Sequence, residues 1–291
     1  MPRSTLSKVA GYTLLVIVAF IFAFPVVFMV MSSLKTNEAI FADMRSIRAF
    51  LPVGQISFNN YLEAFLRTDA WRFIFNSVII ATFTVILGLF FNSMAAFALA
   101  RMKWRGQTIV LAIIIATLIV PFETIAIPLL LMVSRLPYLT LSNGTPEIVN
   151  TWLDTYHVQI IPFIANAFSI FLFYQYFREI PKDLDEAALV DGANRFQIYR
   201  HIIMPISGPI IATVAILTFL PAWNAYLWPI MVIQSESARP VMIGMQFFFL
   251  RVVEWGEVMA YATAITLPVL VLYLSFQRAF IESIATSGIK G

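Results

Sequence analysis

A dense group of residues able to do chemistry lies in one stretch of this sequence, Ile180 to Pro205. Its pattern predicts two short helices with a break between them. Pro181 suits a first helical position, where a fixed φ and a missing N–H cost nothing. Asp183, Asp185 and Glu186 then fall in the first turns, where the helix dipole favours negative charge. Gly192 suits the left-handed position that ends a helix, and Asn194 can cap the next one. On that second helix Phe196, Tyr199 and Ile203 share one face, while Arg195 and Arg200 lie elsewhere. Such an amphipathic hairpin presents a compact knob for a partner's groove. Ala187 and Ala188 are small enough for a partner to approach the backbone closely. An interfacial helix lying on lipid headgroups is the competing reading.

The remaining candidates are scattered. Glu123 lies between Pro121 and Pro128 in an apolar run. A carboxylate there is a functional candidate on a solute path or gate, or a structural partner near the end of its helix. Trp223, Asn224 and Tyr226 combine rings that stack on sugar faces with an amide that bonds hydroxyls. Trp228-Pro229 reads as an interfacial belt residue or a kink. Asn166 is a further path candidate, although it, Asn76 and Asn92 equally suit hydrogen bonding between helices. His157 and His201 stand alone, without metal-site spacing, and no cysteine is present. No Gly-x-x-x-x-Gly-Lys-Ser/Thr phosphate loop occurs, so the chain is expected not to hydrolyse ATP itself.

The elements that must position these residues are membrane helices. Of 291 residues 60% are hydrophobic and 12% charged, half the charge of an ordinary soluble domain, and the mean hydropathy is +0.85. A spanning helix needs about 20 mostly apolar residues. Val9–Leu34, Phe73–Ala100, Gly106–Ser134, Thr155–Phe177, Ile202–Ser235 and Val258–Gln277 meet that test, the third interrupted by Glu123. Val9–Leu34 is too long for the apolar core of a signal peptide, about 7–15 residues, and reads as the first span. Six spans put both termini on one side. Assigning them to the cytoplasm leaves eleven of the nineteen Lys and Arg inside, a weak positive-inside bias that is clearest at Arg101, Lys103 and Arg105. Basic residues at the ends of apolar runs, not on one solvated face, argue against nucleic acid despite a pI near 9.2. Asn143-Gly144 and Pro146 mark a turn in the segment after the third span.

Glu186, Ala187, Ala188, Gly192, Ile202 and Met204-Pro205, at their spacing here, resemble the EAA signature of permease subunits of binding-protein-dependent ABC importers. Met204 stands where that family usually has Leu. The resemblance covers nearly the whole chain and is nearest to the second permease subunit of maltose-type carbohydrate importers. Asn60-Tyr61, Asn76-Ser77, the run Ala95–Arg101, Trp223–Pro229 and the tail from Phe276 through Gly288-Ile289-Lys290-Gly291 carry it. Two departures are Glu282-Ser283 in that tail and a longer segment over Tyr138–Glu147.

The resemblance implies an all-α integral membrane fold of six spans with cytoplasmic coupling helices. Residues 1–8 form a cytoplasmic N-terminus, 9–34 the first span, 35–70 an outer loop, and 71–291 the permease core with its coupling loop at 179–205. It implies that Glu186, Ala187, Ala188, Asp191, Gly192, Arg195 and Pro205 couple to an ATPase. The implied partners are a second permease, a dimeric ATPase that holds ATP and Mg, an external solute-binding protein and a carbohydrate, in a bacterial inner membrane. No cofactor is expected on this chain. A glycerol-phosphate or compatible-solute cargo is the alternative. A stand-alone carrier or a membrane enzyme fits less well, since only Glu123 is ionisable inside a span and no catalytic constellation is visible.

Overall fold

The computed structural model describes residues 5–142, 144–250 and 252–288. Asn143 and the last three residues of the tail motif, Ile289-Lys290-Gly291, lie outside the described residues. In chain order come α1 (Thr5–Ser32), α2 (Asn37–Asp43), α3 (Asn59–Arg67) and α4 (Ala70–Arg101). Next are α5 (Gln107–Thr117), α6 (Phe122–Val133), β1 (Tyr138–Ser142), β2 (Thr145–Val149), α7 (Tyr156–Ile160) and α8 (Ala167–Glu179). Then follow α9 (Asp183–Val190), α10 (Arg195–Ile198), a π-helical turn (Tyr199–Ile203), α11 (Met204–Ile206) and α12 (Gly208–Trp223). Last come α13 (Leu227–Val232), α14 (Val241–Gly244) and α15 (Trp255–Gly288).

Three helices are intact spans by length and apolarity: Gly11–Ser32, Ala70–Arg101 and Trp255–Ser275. The other three expected spans are broken. α5 and α6 meet at 101°, Tyr156–Phe163 and α8 at 41°, and Arg195–Ile206 and α12 at 83°. Proline chemistry explains the first of these bends and also the end of α12. Pro121 has no N–H to continue α5 and restricts Val120 before it, so α6 restarts with Pro121 as its cap. The break in the third span is therefore at residues 118–121, and Glu123 belongs to the first turn of a new helix. Pro221 likewise strips the Leu217 carbonyl of its helical partner, and α12 ends two residues later. Broken helices are tolerated in membranes where they are buried in protein or line a cavity.

The expected segment Tyr138–Glu147 is a β-hairpin, a small departure from an all-α fold. Tyr138 pairs with Val149 and Ser142 with Thr145. Gly144, at φ +80, supplies the positive φ that tight hairpin connections require.

The chain divides into two compact units, Met1–Trp71 with Gly244–Pro268, and Arg72–Ile243 with Val269–Gly291. In the first, Lys35 is buried, its Nζ donating to Asp43 Oδ2 at 2.9 Å and to the Arg48 carbonyl at 2.6 Å. Asn60 Nδ2 donates to the Ser33 and Lys35 carbonyls, both at 2.8 Å. Gly256 packs on this knot: a Cβ there would sit 2.5 Å from Asn60 Nδ2 and 2.7 Å from the Lys35 carbonyl. In the second unit one core gathers Phe97, Phe173, Phe177, Ile198, Tyr199 and Ile203. A second joins Val133, Val158, Trp228 and Val232. Trp228, read from sequence as belt or kink, is buried and donates its Nε1–H to the Val158 carbonyl at 2.8 Å.

Candidate functional site

The Ile180–Pro205 loop folds as a helical hairpin, with its break where Gly192 stands. α9 ends in a Schellman motif: Gly192 N–H donates to the Leu189 carbonyl at 3.1 Å and Ala193 N–H to Ala188 at 2.9 Å. Gly192 takes φ +83 with open space around it, so backbone conformation, and not crowding, demands glycine. Asn194 then closes a capping box, accepting from Gln197 N–H at 2.9 Å while Gln197 Oε1 accepts from Asn194 N–H at 2.7 Å. α9 itself starts at Asp183, so Pro181 precedes the helix by two residues instead of opening it.

The hairpin is bolted to α4. Arg101 donates Nε–H to Asp185 Oδ2 at 2.9 Å and Nη2–H to Oδ1 at 2.8 Å. Its Nη1 donates to the Phe177 and Ile180 carbonyls at 3.2 and 2.6 Å, and Nη2 to Pro181 at 2.9 Å. A guanidinium has five N–H donors, and all five are engaged. Three of those acceptors are carbonyls at or just beyond the end of α8, which its own helical bonds leave open. About two turns back along α4, Ser93 Oγ and Tyr199 Oη bond at 2.7 Å, with Phe97 packed on the Tyr199 ring at 5.5 Å. Arg101 had read from sequence as a topology charge and Asp185 as a dipole partner. Their long separation along the chain hid the pair.

This anchoring sorts the expected loop residues into two sides. Glu186, Ala187, Asp191, Gly192 and Arg195 are exposed. Ala188 is buried in the core, because the residue that faces α4 at Asp185 brings the one three positions on to the same face. The close approach expected at both alanines is therefore available only at Ala187. Tyr199 and Ile203 are buried, whereas Phe196 is half exposed. Pro205 is exposed, in α11. A cleft of about 640 Å³ runs between the end of α4, the start of α5 and α9, lined by Glu186, Lys103, Arg178, Lys182 and Arg195.

The broken helices converge elsewhere on a cavity of about 380 Å³. Phe122 and Ile125 of α6, Gln159 of α7, Phe163 and Asn166 before α8, and Pro221, Ala222, Tyr226 and Trp228 near the break after α12 line it, with Ile80 and Thr84 of α4. Of the expected path residues, Asn166 and Tyr226 are there. Asn166 also caps α8, its Oδ1 accepting from Ser169 N–H at 2.9 Å. Asn92 braces the break, donating to the Ile164 carbonyl at 2.8 Å and accepting from Asn166 N–H at 3.0 Å.

Three expected path residues stand outside that lining. Trp223 is buried and stacks on Phe219 at 5.5 Å, since helical spacing turns residues 218, 221, 222 and 225 toward the cavity and 219 and 223 away. Asn224 is exposed and donates Nδ2–H to Leu220 O at 2.9 Å within its own helix end. Glu123 is exposed in the first turn of α6, where the helix dipole favours it.

Comparison with known proteins agrees with this architecture. The profile described as "Binding-protein-dependent transport system inner membrane component" matches residues 88–285. The lactose transport system permease protein LacG of Rhizobium radiobacter is 30% identical, over 98% of this chain and 97% of that protein. The arabinooligosaccharides transport system permease protein AraQ of Halalkalibacterium halodurans is 29% identical, over 94% and 93%. Among solved structures, a chain of a bacterial ABC transporter involved in the import of the acidic polysaccharide alginate superposes with TM-score 0.77 at 24% identity, over 96% of this chain and 98% of that one. This chain belongs to the family of inner-membrane components of binding-protein-dependent transport systems.

Proposed function

We propose that the chain is one of two permease subunits of an ATP-driven importer for a neutral carbohydrate. The observation that carries the coupling half is the Glu186 hairpin: exposed on one side, glycine-broken in its middle, and fixed to α4 by Arg101. In this reading Glu186, Ala187, Asp191, Gly192 and Arg195 meet an ATPase on the cytoplasmic side, where both termini also lie. The ATPase pair holds ATP and Mg. Its closure moves α9, and Arg101 passes that motion to α4. Between Arg101 and Thr84 α4 is continuous for about 25 Å at 1.5 Å per residue, long enough to link the hairpin to the cavity. A docked solute-binding protein delivers the cargo, and a homologous permease supplies the other half of the path.

Relatives named for lactose and arabinooligosaccharides support the carbohydrate reading. So does the cavity, whose lining among the described residues includes aromatics and amides and no Asp, Glu, Lys or Arg. A glycerol-phosphate cargo would call for cationic groups there, which disfavours that reading for this subunit. Co-expression with the neighbouring transport genes tests the proposal. An affinity tag on this chain should bring down two further kinds of subunit, a second permease and an ATPase. Recovery of this chain alone, fully folded and active in solute uptake, would replace the proposal with a stand-alone carrier.

A further inference from the structure

Two polar atoms of residues that line this cavity, Thr84 Oγ1 and Gln159 Oε1, are enclosed and have no hydrogen-bond partner among the described residues. Both side chains are deeply buried, at 2% and 4% exposure, and both line the cavity. A buried group left unsatisfied costs about 1–3 kcal/mol, so such atoms point to something that visits them. The geometry keeps them unsatisfied. Gln159 Nε2 donates to the Ala238 carbonyl at 3.0 Å, which fixes the amide so that its oxygen, an acceptor, is left over. Thr84 departs from its peers: Thr213, Thr263 and Thr266 each donate back to the carbonyl four residues earlier, and Thr84 does not. Phe122, Phe163, Tyr226 and Trp228 add ring surface to the same lining.

We infer that this cavity is a binding station for the hydroxyl groups of a neutral saccharide, with Gln159 Oε1 accepting from one hydroxyl and Thr84 Oγ1 exchanging a bond with another. Aromatic faces cover the C–H surfaces of the ring. The volume falls within the range of small-molecule sites, about 300–1,000 Å³. The inference rests on the carbohydrate reading above, and sharpens it by assigning cargo contact to this subunit through α4 and α7.

The test uses the whole importer with its binding protein in proteoliposomes, offered radiolabelled maltose, lactose and arabinotriose. For whichever sugar enters, wild type should take up at least one singly deoxygenated analogue about tenfold more slowly, the worth of one such bond. Thr84→Val and Gln159→Met should each cut uptake of the parent sugar about tenfold and shrink that discrimination, while binding-protein-stimulated ATP hydrolysis persists. Thr84→Ser, which keeps the hydroxyl, should restore uptake. If these variants fail to assemble, cryo-EM of the sugar-loaded wild-type importer decides, with saccharide density expected within hydrogen-bond reach of both atoms. Parent uptake and discrimination unchanged in both variants, or ordered water alone beside the two atoms, would overturn the station and leave the carbohydrate reading standing. An assembled wild type that moves none of these sugars but moves a phosphorylated or zwitterionic solute would overturn both.

Discussion

Arg101 and Asp185 form a two-pronged ion pair, Nε to Oδ2 at 2.9 Å and Nη2 to Oδ1 at 2.8 Å, with the Arg101 side chain at 0% exposure. The pair closes the angle between the end of α4 and the start of α9. Every other donor of Arg101 holds a carbonyl at or after the end of α8, so a single side chain ties three segments.

Removing one partner of a buried pair costs about 3–5 kcal/mol, because the other charge is left uncompensated. Asp185→Ala should therefore loosen the hairpin and expose residues 179–205 to limited proteolysis in detergent. Arg101→Lys should do nearly the same, since an ammonium cannot replace a five-donor fork. Asp185→Asn should fall between them and wild type.

Gly192 offers a cleaner separation of shape from space. With φ +83 and nothing near a Cβ, substitution meets only backbone strain, about 1–2 kcal/mol for an ordinary residue. Gly192→Asn should keep most transport, Gly192→Val should lose most of it, and thermal stability of the assembled complex should differ little between them. Uptake measured beside a melting curve checks this.

Gly256 is the opposite case, limited by space. Gly256→Val would drive a side chain into Asn60 and the Lys35 carbonyl and should destabilise the first unit by about 1–3 kcal/mol or more. A lowered melting temperature of the purified complex is the expected readout.

Ser93 and Tyr199 share one hydrogen bond at 2.7 Å. Ser93→Ala and Tyr199→Phe should each cost about 1 kcal/mol, and the double variant should cost little more than either alone. Additive losses in a double-mutant cycle would mean the bond carries no coupling.

Glu123 is exposed in the first turn of α6 and is not among the cavity's lining residues. Glu123→Gln should change sugar uptake by less than about twofold, because an exposed acid in a first helical turn is worth about 0.3–1 kcal/mol. Uptake kinetics at varied cargo concentration measure it.

Much of the hairpin was legible because its signals are local. Gly192 and Asn194 announce a helix break and a cap within a few residues of where they act. The spans were legible in number through their apolar length, yet the breaks were not, since Pro121 and Pro221 look alike in sequence to Pro25 and Pro268, which α1 and α15 absorb without ending. The cavity was the least legible part. Asn166 and Tyr226 were singled out by type, but Thr84 within its span and Gln159 near the edge of its own are ordinary residues until the fold leaves one atom of each without a partner. Trp223 and Asn224 were singled out in the same way and stand outside that lining, because aromatic and amide chemistry says nothing about which helical face a residue occupies.

Glu186 is the proposed contact through which an ATPase drives this chain. Glu186→Lys, reconstituted with its partners, should purify as a complete complex yet lose at least about tenfold in sugar uptake, as expected when a charge at an interface is reversed. A fully assembled Glu186→Lys importer with normal uptake would contradict it.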